Sequence, residues 1–532
     1  MKRISTRLSE CRACSTEVFH LKDEENAMLK IHHPPKAEIT VSDFSVTLNG
    51  EKTLPWFCRV SAMPYNTVWP GHQRPMDQSE VASFLSFEMS EPVTVHLVAS
   101  RDFDDLSIRP LSKGVQARVH GREIEFTLTQ CGSYTVELDG WHNALHIFAN
   151  PVCDFGVTDK SAPGVRYFGP GIHEVGDLEL SNGETLFVDG GAVLYGSVTA
   201  IHKKNVRVVG YGVIDGSREV RDSTTSLITW GVGKDLDLRD EATLRAHLKE
   251  ENVLHGCVHF YSCQDSEIAG VIARDSATFA FILADCERVN CERVKTIGMW
   301  RYNSDGIDLF NSRYVRIADC FLRNFDDCIV LKGIKGWDRE NLHHIVVSGC
   351  TVWCDWGSAL EVGAETCADE YYDIVWENCD VIHASLACMR THNSDRAHVH
   401  DMVLRDIRCE YSRYDLLPVY QSDMRRSFDG QAVHGDPWLI LSPVYDGPFS
   451  NDHILGSTSS VRYENITIYA PEDMPAPRCG FDGQNAVCEP GGSHPEHCNR
   501  NIVLENFVRD GRRLTRNDLF LQLGDFSDVT VK

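Results

Sequence analysis

The sequence predicts an all-β protein in which an N-terminal antiparallel β-sandwich precedes a right-handed parallel β-helix. Three observations carry this. Short strands of alternating apolar and polar residues, separated by polar turns, fill residues 37–156. Beyond them a form V-x-V/I-x-x-C/V recurs to the end of the chain. Its repeats are spaced mostly by 20-odd residues, with elastic loops between them, which is the mark of a solenoid.

The 532 residues have room for two to four domains and a large core. Residues 1–36 read as an extension without assignable structure. The sandwich, 37–156, is carried by stretches such as AEITVSDFSVTLNG, REIEFTLTQCGSYTVELDG and ALHIFANP, with Asn49-Gly50 as a hairpin turn. The β-helix is expected over 157–532. Its repeats include VRVVGY (206–211), VRIADC (315–320), IVVSGC (345–350), IVWENC (374–379) and IVLENF (502–507). Their last residues form a column from the second repeat on: Val271, Val294, Cys320, Cys350, Cys379, Ile407, Ile466 and Phe507. Short strands of this kind bury their inward side chains only by stacking on neighbouring coils, so three consecutive Cys in one column read as a core row. The long step before Ile466 implies an insertion near 410–460, whose Tyr411, Trp438 and Tyr445 could wall a cleft.

Composition narrows the function. Lys and Arg number 52 against 77 Asp and Glu, a net charge of −25, which disfavours general binding to nucleic acid or to anionic membranes. No run of 18 apolar residues predicts a membrane span. The first residues lack the apolar stretch of a secretory signal, so a cytoplasmic location and reduced thiols are expected for the 20 Cys.

The chemistry is concentrated in NSDGIDLF (303–310) and, one repeat later, FDDCIVLKG (325–333). Asp305, Asp308, Asp326 and Asp327 then fall on adjacent coils of one sheet or at its edge. Clustered carboxylates suit glycosidic cleavage, which needs a protonated acid at the leaving oxygen and carboxylates that activate water. Packing like charges together keeps one acid protonated near neutral pH. S-D-G is also an ordinary turn signal, and an acidic chain yields D-D pairs by chance.

These motifs resemble those of glycoside hydrolase family 28, the polygalacturonases, and of β-helical relatives such as the dextranases. That family shows N-T-D-G-[FI]-D followed by D-D-C-[IL]-A-[IV], with 21 residues from the first Asp to the D-D pair. Here 326 − 305 = 21. The resemblance spans roughly residues 160–470 and includes RYFGPGIHEVG and GYGVIDG. It implies an inverting, single-displacement hydrolase with no metal or cofactor, acting on a carbohydrate. Asp326 would be the general acid, with Asp305 and Asp327 holding and activating the water. Asn303 would orient its neighbours, and Asp308 and Lys332 would line the substrate site.

The departures bear on the substrate. Where the family has G-H-G-[LI]-S-[IV]-G, this chain has GSALEVG (357–363), so Ser358 replaces the His and Glu361 the Ser. Where the family grips a substrate carboxylate with R-I-K, this chain has Arg390-Thr391-His392. A carboxylate site favours a bidentate Arg with a second cation. Glu361, Arg390 and His392 therefore point to a neutral or weakly acidic sugar, taken by an exo-acting or oligosaccharide-specific pocket. Oligomeric state is left open.

Two further classes compete: a calcium-dependent polysaccharide lyase on the same scaffold, and a non-catalytic carbohydrate-binding β-helix. Fold alone does not separate them; the three matched acids favour the hydrolase. Cys11-x-x-Cys14 lacks a second pair, and Cys479, Cys488, His494, His497 and Cys498 lack ordered zinc-ligand spacing. His398 and His400 read as ordinary strand or loop residues. No phosphate-binding loop, dinucleotide fingerprint or nucleophile elbow is present.

Overall fold

The computed structural model describes residues 28–62, 76, 79–220, 236–250, 254–413, 419–421, 424–426, 436–481 and 495–532. The N-terminal part is two sheets face to face. One contains Leu29–Ile31, Trp56–Ser61, Ser79–Met89, Leu106–Arg109, Gly132–Leu138 and Leu145–Pro151. The other orders Glu51–Thr53, Phe44–Leu48, Val93–Ala99, Glu123–Leu128 and Ala117–His120. Glu123–Leu128 alternates exposed and buried residues along its whole length, as a strand with one solvated face must. Phe44, Phe87, Val95, Leu97, Ile124 and Val136 meet between the sheets. One boundary differs from the expectation. Leu29–Ile31, placed by sequence in the extension, pairs antiparallel with Phe87–Met89 and belongs to the sandwich. Three residues are too short for alternation to reveal them.

From Val165 onward the chain winds into a right-handed parallel β-helix with three sheets. A representative coil runs Arg313–Ala318 on the first sheet, Phe321–Asn324 on the second and Ile329–Gly333 on the third. The next coil repeats the path with Leu342–Ser348, Thr351–Cys354 and Ser358–Thr366, each in parallel register with its predecessor. Inward residues stack coil upon coil. On the first sheet one such row is Ile268, Cys291, Ile317, Val347, Trp376, Leu404, Tyr463 and Leu504.

The column read from sequence is the corner between the first and second sheets. All eight of its residues are buried, and the described cysteines are free thiols. Each is preceded by a residue with positive φ: Gly270, Arg293, Asp319, Gly349, Asn378, Asp406, Asn465 and Asn506. That column is mostly Gly, Asn and Asp because these residues enter the left-handed region most cheaply. The Asn506 amide donates to Asn465 and the Asn465 amide to Asp406, so the corner is also a hydrogen-bonded ladder.

The expected insertion is partly regular. Trp438–Leu441 pairs with Ala387–Asn393 on one side and Arg478–Phe481 on the other, so it is a coil strand. Tyr411 is buried in the helix core with its hydroxyl on the Pro437 carbonyl, and it walls no cleft. Trp438 is buried under the Arg478 guanidinium. Cys479 lies in the core, and His497 Nδ1 contacts the Gly456 carbonyl. Cys11, Cys14, Cys488 and His494 lie outside the described residues.

The sandwich docks on the outer face of the second sheet. Trp56, Cys58, Val60, Phe84 and Phe148 pack against Val213, Ile272, Ile297, Phe321, Trp353 and Ile382, which come from successive coils. Arg323, wholly buried there, lies over the Trp353 ring and contacts His146 Nε2 at 3.0 Å. Among the described residues no helix is long and apolar enough to cross a membrane.

Candidate active site

The acids gather where the second sheet turns into the third. Successive coils supply residues 298–306, then 325–328, then 355–357 to that corner. The Gly306 amide donates to the Asp327 carbonyl at 2.8 Å, and the Cys328 amide to the Ser358 carbonyl at 3.0 Å. These ladder bonds bring Asp305 and the Asp326-Asp327 pair onto adjacent rungs. One oxygen from each of the three carboxylates lies within 4.8 Å of the others.

Two glycines permit the approach. A Cβ on Gly306 would stand 2.2 Å from the Cys328 carbonyl oxygen, and one on Gly357 would stand 2.5 Å from Asp327 Oδ1. The freed space lets Asp327 Oδ1 accept the Ser358 N–H at 2.8 Å. Asp326 Oδ1 accepts the Asp327 N–H at 3.1 Å. Asn303 sits in the preceding turn with φ 50°, a conformation Asn tolerates.

The third sheet carries the remaining candidates. Asp308, Val330, Glu361, Arg390 and Leu441 occupy one register row across five strands. Side chains of one row share a face, and the inward partners Leu309, Leu331, Val362 and Met389 belong to the core, so this row faces outward. Lys332, two residues on from Val330, shares that face. Its Nζ lies 2.9 Å from Asp305 Oδ2 and 3.4 Å from Asp308 Oδ1, and 4.8 Å from the Phe279 ring centroid.

The sequence reading placed Asp308 and Lys332 at the substrate. Asp308 is wholly buried and Lys332 is 5% exposed, and the lysine ammonium bridges Asp305 and Asp308. Glu365 was not singled out by sequence. Leu331 pairs with Val362 but Gly333 with Thr366, so Gly363–Glu365 bulge opposite Lys332 and add another negative charge beside it. A one-sided bulge leaves no trace in residue spacing.

Electrostatics separates the acids. Burial pushes Asp305 up to about 7, with Lys332 opposing and Asp327 and Glu365 reinforcing the rise. Burial, then Asp305 and Asp327, hold Asp326 well above the ordinary carboxyl range. Burial and Asp305 do the same to Asp308, and burial and Asp327 to Glu361. Burial works against the Lys332 ammonium, yet Asp305, Glu365, Asp308 and Asp327 together raise its pKa well above the lysine norm.

Further along the same face, Glu361 Oε1 lies 3.4 Å from Arg390 Nη1 and 3.9 Å from His392 Nδ1. The His392 ring stacks on Tyr445, with centroids 5.0 Å apart and planes 7° apart, and meets Phe449 edge-on. The loop that carries these two aromatics is pinned by buried Asp395, which accepts from Ser450 Oγ, the Asn451 and Asp452 amides, and Thr366 N–H. Asp395, Asp452 and Cys367 form a second close group, already occupied by these bonds and by Arg396. On the other side of the acids, Trp356 stacks on Phe325, with centroids 5.5 Å apart.

Residues 196–415, which contain every candidate above except Tyr445, Phe449 and the loop around them, match the model of Glycosyl hydrolases family 28. Over that region the chain is similar to the glycoside hydrolases of this family. Among solved structures the chain is similar in fold to Dex49A from Penicillium minioluteum, at 13% identity and a TM-score of 0.58. The match covers 94% of this chain and 96% of that one. The family 28 exopolygalacturonase of Yersinia enterocolitica matches at 15% identity and a TM-score of 0.45, over 78% of this chain and 89% of its own. A hyperthermoactive exopolygalacturonase from Thermotoga maritima matches at 16% identity and a TM-score of 0.47, over 69% and 82%. No curated protein matches the chain significantly.

Proposed function

We propose that the glycosidase cleaves an oligosaccharide by direct displacement, with Asp326 as general acid and Asp305 and Asp327 holding the attacking water. Asp326 delivers its proton to the glycosidic oxygen as the C1–O bond breaks. The water adds to C1 and gives its proton to the carboxylates. The observation that carries this is the convergence of three acids, within 4.8 Å, beside one buried ammonium. Asp326 has the surroundings of a proton donor, because burial and two acidic neighbours favour its neutral form. Asp305 has those of a base, because Lys332 favours its charged form.

Inversion rests on the family resemblance. The acids stand closer than the roughly 6.5–9.5 Å usual for an inverting pair and nearer the roughly 5–5.5 Å of retaining enzymes. A retaining route through an aspartyl ester is therefore the second reading. NMR of the first anomer released separates the two: inversion supports water held by Asp305 and Asp327, and retention assigns one of the acids as nucleophile. Exo action on a neutral or weakly acidic sugar is part of the proposal. Its support is the pinned Tyr445–Phe449 segment beside His392, which would close one end of a cleft. Asp326→Asn is expected to lower turnover by about 10²–10⁴-fold with folding intact. Wild-type turnover in that variant would remove Asp326 from the role.

A further inference from the structure

Away from the acids, the sandwich holds a cation without a counter-ion. Lys113 ends the short turn Leu111–Lys113, which is tied to the β-helix. The Leu111 N–H donates to Glu410 Oε1 at 2.7 Å, and Ser112 Oγ donates to Asp380 Oδ1 at 2.6 Å. The Lys113 ammonium lies 4.3 Å from the Tyr134 ring centroid, and among the described residues it makes no ion pair. Its nearest acids are Asp380 and Asp319, at the corner between the first and second sheets and so one sheet away from Asp305, Asp326 and Asp327. Asp380 is already engaged by the Arg408 guanidinium, at 2.6 and 2.7 Å. Burial pushes the Lys113 pKa below the lysine norm, as expected of an ammonium that its surroundings do not neutralise.

The position of this ammonium is built. A Cβ on Gly132 would stand 2.3 Å from Lys113 Nζ, so only glycine leaves room for it there. Tyr134, two residues on and on the same face, offers its ring to the cation and carries no negative charge. Lys113 and Tyr134 line a cavity of about 470 Å³ together with Gln116, Thr127, Thr129 and Gln130. Ligand sites commonly span about 300–1,000 Å³. Arg118 and Glu125, cross-strand partners on its rim, stand 3.7 Å apart and cancel, which leaves the cavity one net positive charge.

Those groups select a ligand. One carboxylate matches the ammonium. The Thr hydroxyls and Gln amides are neutral and exposed, and each offers both a donor and an acceptor, as sugar hydroxyls do. A phosphate dianion would find one cation where it needs two, and a neutral sugar would leave the ammonium unmatched.

We propose that this cavity is a second carbohydrate site, separate from the cleft, which holds a sugar acid with its carboxylate on Lys113 and its hydroxyls on Gln116, Thr127, Thr129 and Gln130. Its role is to anchor a uronate-bearing saccharide to the sandwich.

The inference stands apart from the glycosidase reading, and its test needs no turnover. Methyl β-D-glucuronide, methyl β-D-glucoside and acetate are titrated by calorimetry into the full chain and into Lys113→Met and Thr127→Val. Hydrogen exchange locates the bound probe. The wild type is expected to bind the glucuronide about tenfold or more tightly than either other probe, because each lacks one half of the contacts. The glucuronide should protect residues 113–134. Lys113→Met should lose the preference over the glucoside, and Thr127→Val should weaken the glucuronide severalfold while leaving acetate unchanged. Should Lys113→Met not fold, Thr127→Val, at an exposed position, decides. Equal affinity for glucuronide and glucoside, unchanged glucuronide binding in Lys113→Met, or protection confined to residues outside 113–134 would overturn the proposal. Acetate bound as tightly as the glucuronide would overturn it too, by reducing the site to an anion hole.

Discussion

Replacing Lys332 with Met should move the acid limb of the pH–rate profile. Lys332 Nζ stands 2.9 Å from Asp305 Oδ2, and unit charges at that distance interact by about 6 kcal/mol at an effective dielectric of about 20. Asp308 shares the ammonium at 3.4 Å, so about half of this, or about 2 pKa units, acts on Asp305. Asp305 sits near 7 with the lysine present. A base works deprotonated, so activity rises with pH through its pKa. Without Lys332 that rise should centre near pH 9, with turnover at pH 7 down about fiftyfold and recovering with alkalinity. The assay is kcat/KM from pH 5 to 10 on an oligosaccharide substrate, with circular dichroism confirming the fold. An acid limb that stays in place, or moves to lower pH, would refute the assignment of Lys332 as the group that keeps Asp305 charged.

Other expectations follow from the same geometry. Activity should survive exhaustive EDTA treatment, since Lys332 already supplies a positive charge among the acids. Loss restored by calcium, or an unsaturated product absorbing in the near ultraviolet, would transfer the protein to the lyase class. Asp305→Asn should melt higher than wild type at pH 8 and nearly level with it at pH 4. The carboxyl is raised from 3.8 to about 7, so its contribution to stability is lost as pH rises across that window, by about 4 kcal/mol. Calorimetry at the two pH values checks this. Gly357→Ala should cut turnover by about tenfold or more by displacing Asp327, as a misplacement near 1 Å can. Unchanged kinetics would show that Asp327 tolerates the shift.

Much of this architecture was legible in residue order because a solenoid writes its geometry locally. The corner column from Val271 to Phe507 could be read because each coil repeats the same turn, with a residue tolerant of positive φ before it. The 21-residue spacing from Asp305 to Asp326 is one turn of the helix, which is why the acids could be brought together on paper. What escaped notice was set by contacts between distant segments. Asp308 and Lys332 stand 24 residues apart in the chain, and only the register between their two strands shows that the lysine ammonium joins Asp308 to Asp305. Glu365 reaches Lys332 through a bulge, and Trp438–Leu441 joins the stack despite its irregular distance from the previous repeat. Tyr445 and Phe449 arrive at His392 because Asp395 anchors their loop, a tie that no spacing rule encodes.

The ladder bonds from Gly306 to Asp327 and from Cys328 to Ser358 make the separation of the reacting groups a lattice constant. Adjacent strands repeat at about 4.8 Å whatever their side chains. Loops at the corners can lengthen, shorten or change composition without altering that ruler. Selection could therefore rework the rungs beyond the acids, exchanging one sugar's partners for another's, while the chemical step kept its dimensions. The same rigidity limits what can be engineered: a new acid can be placed one rung away or two, but not in between.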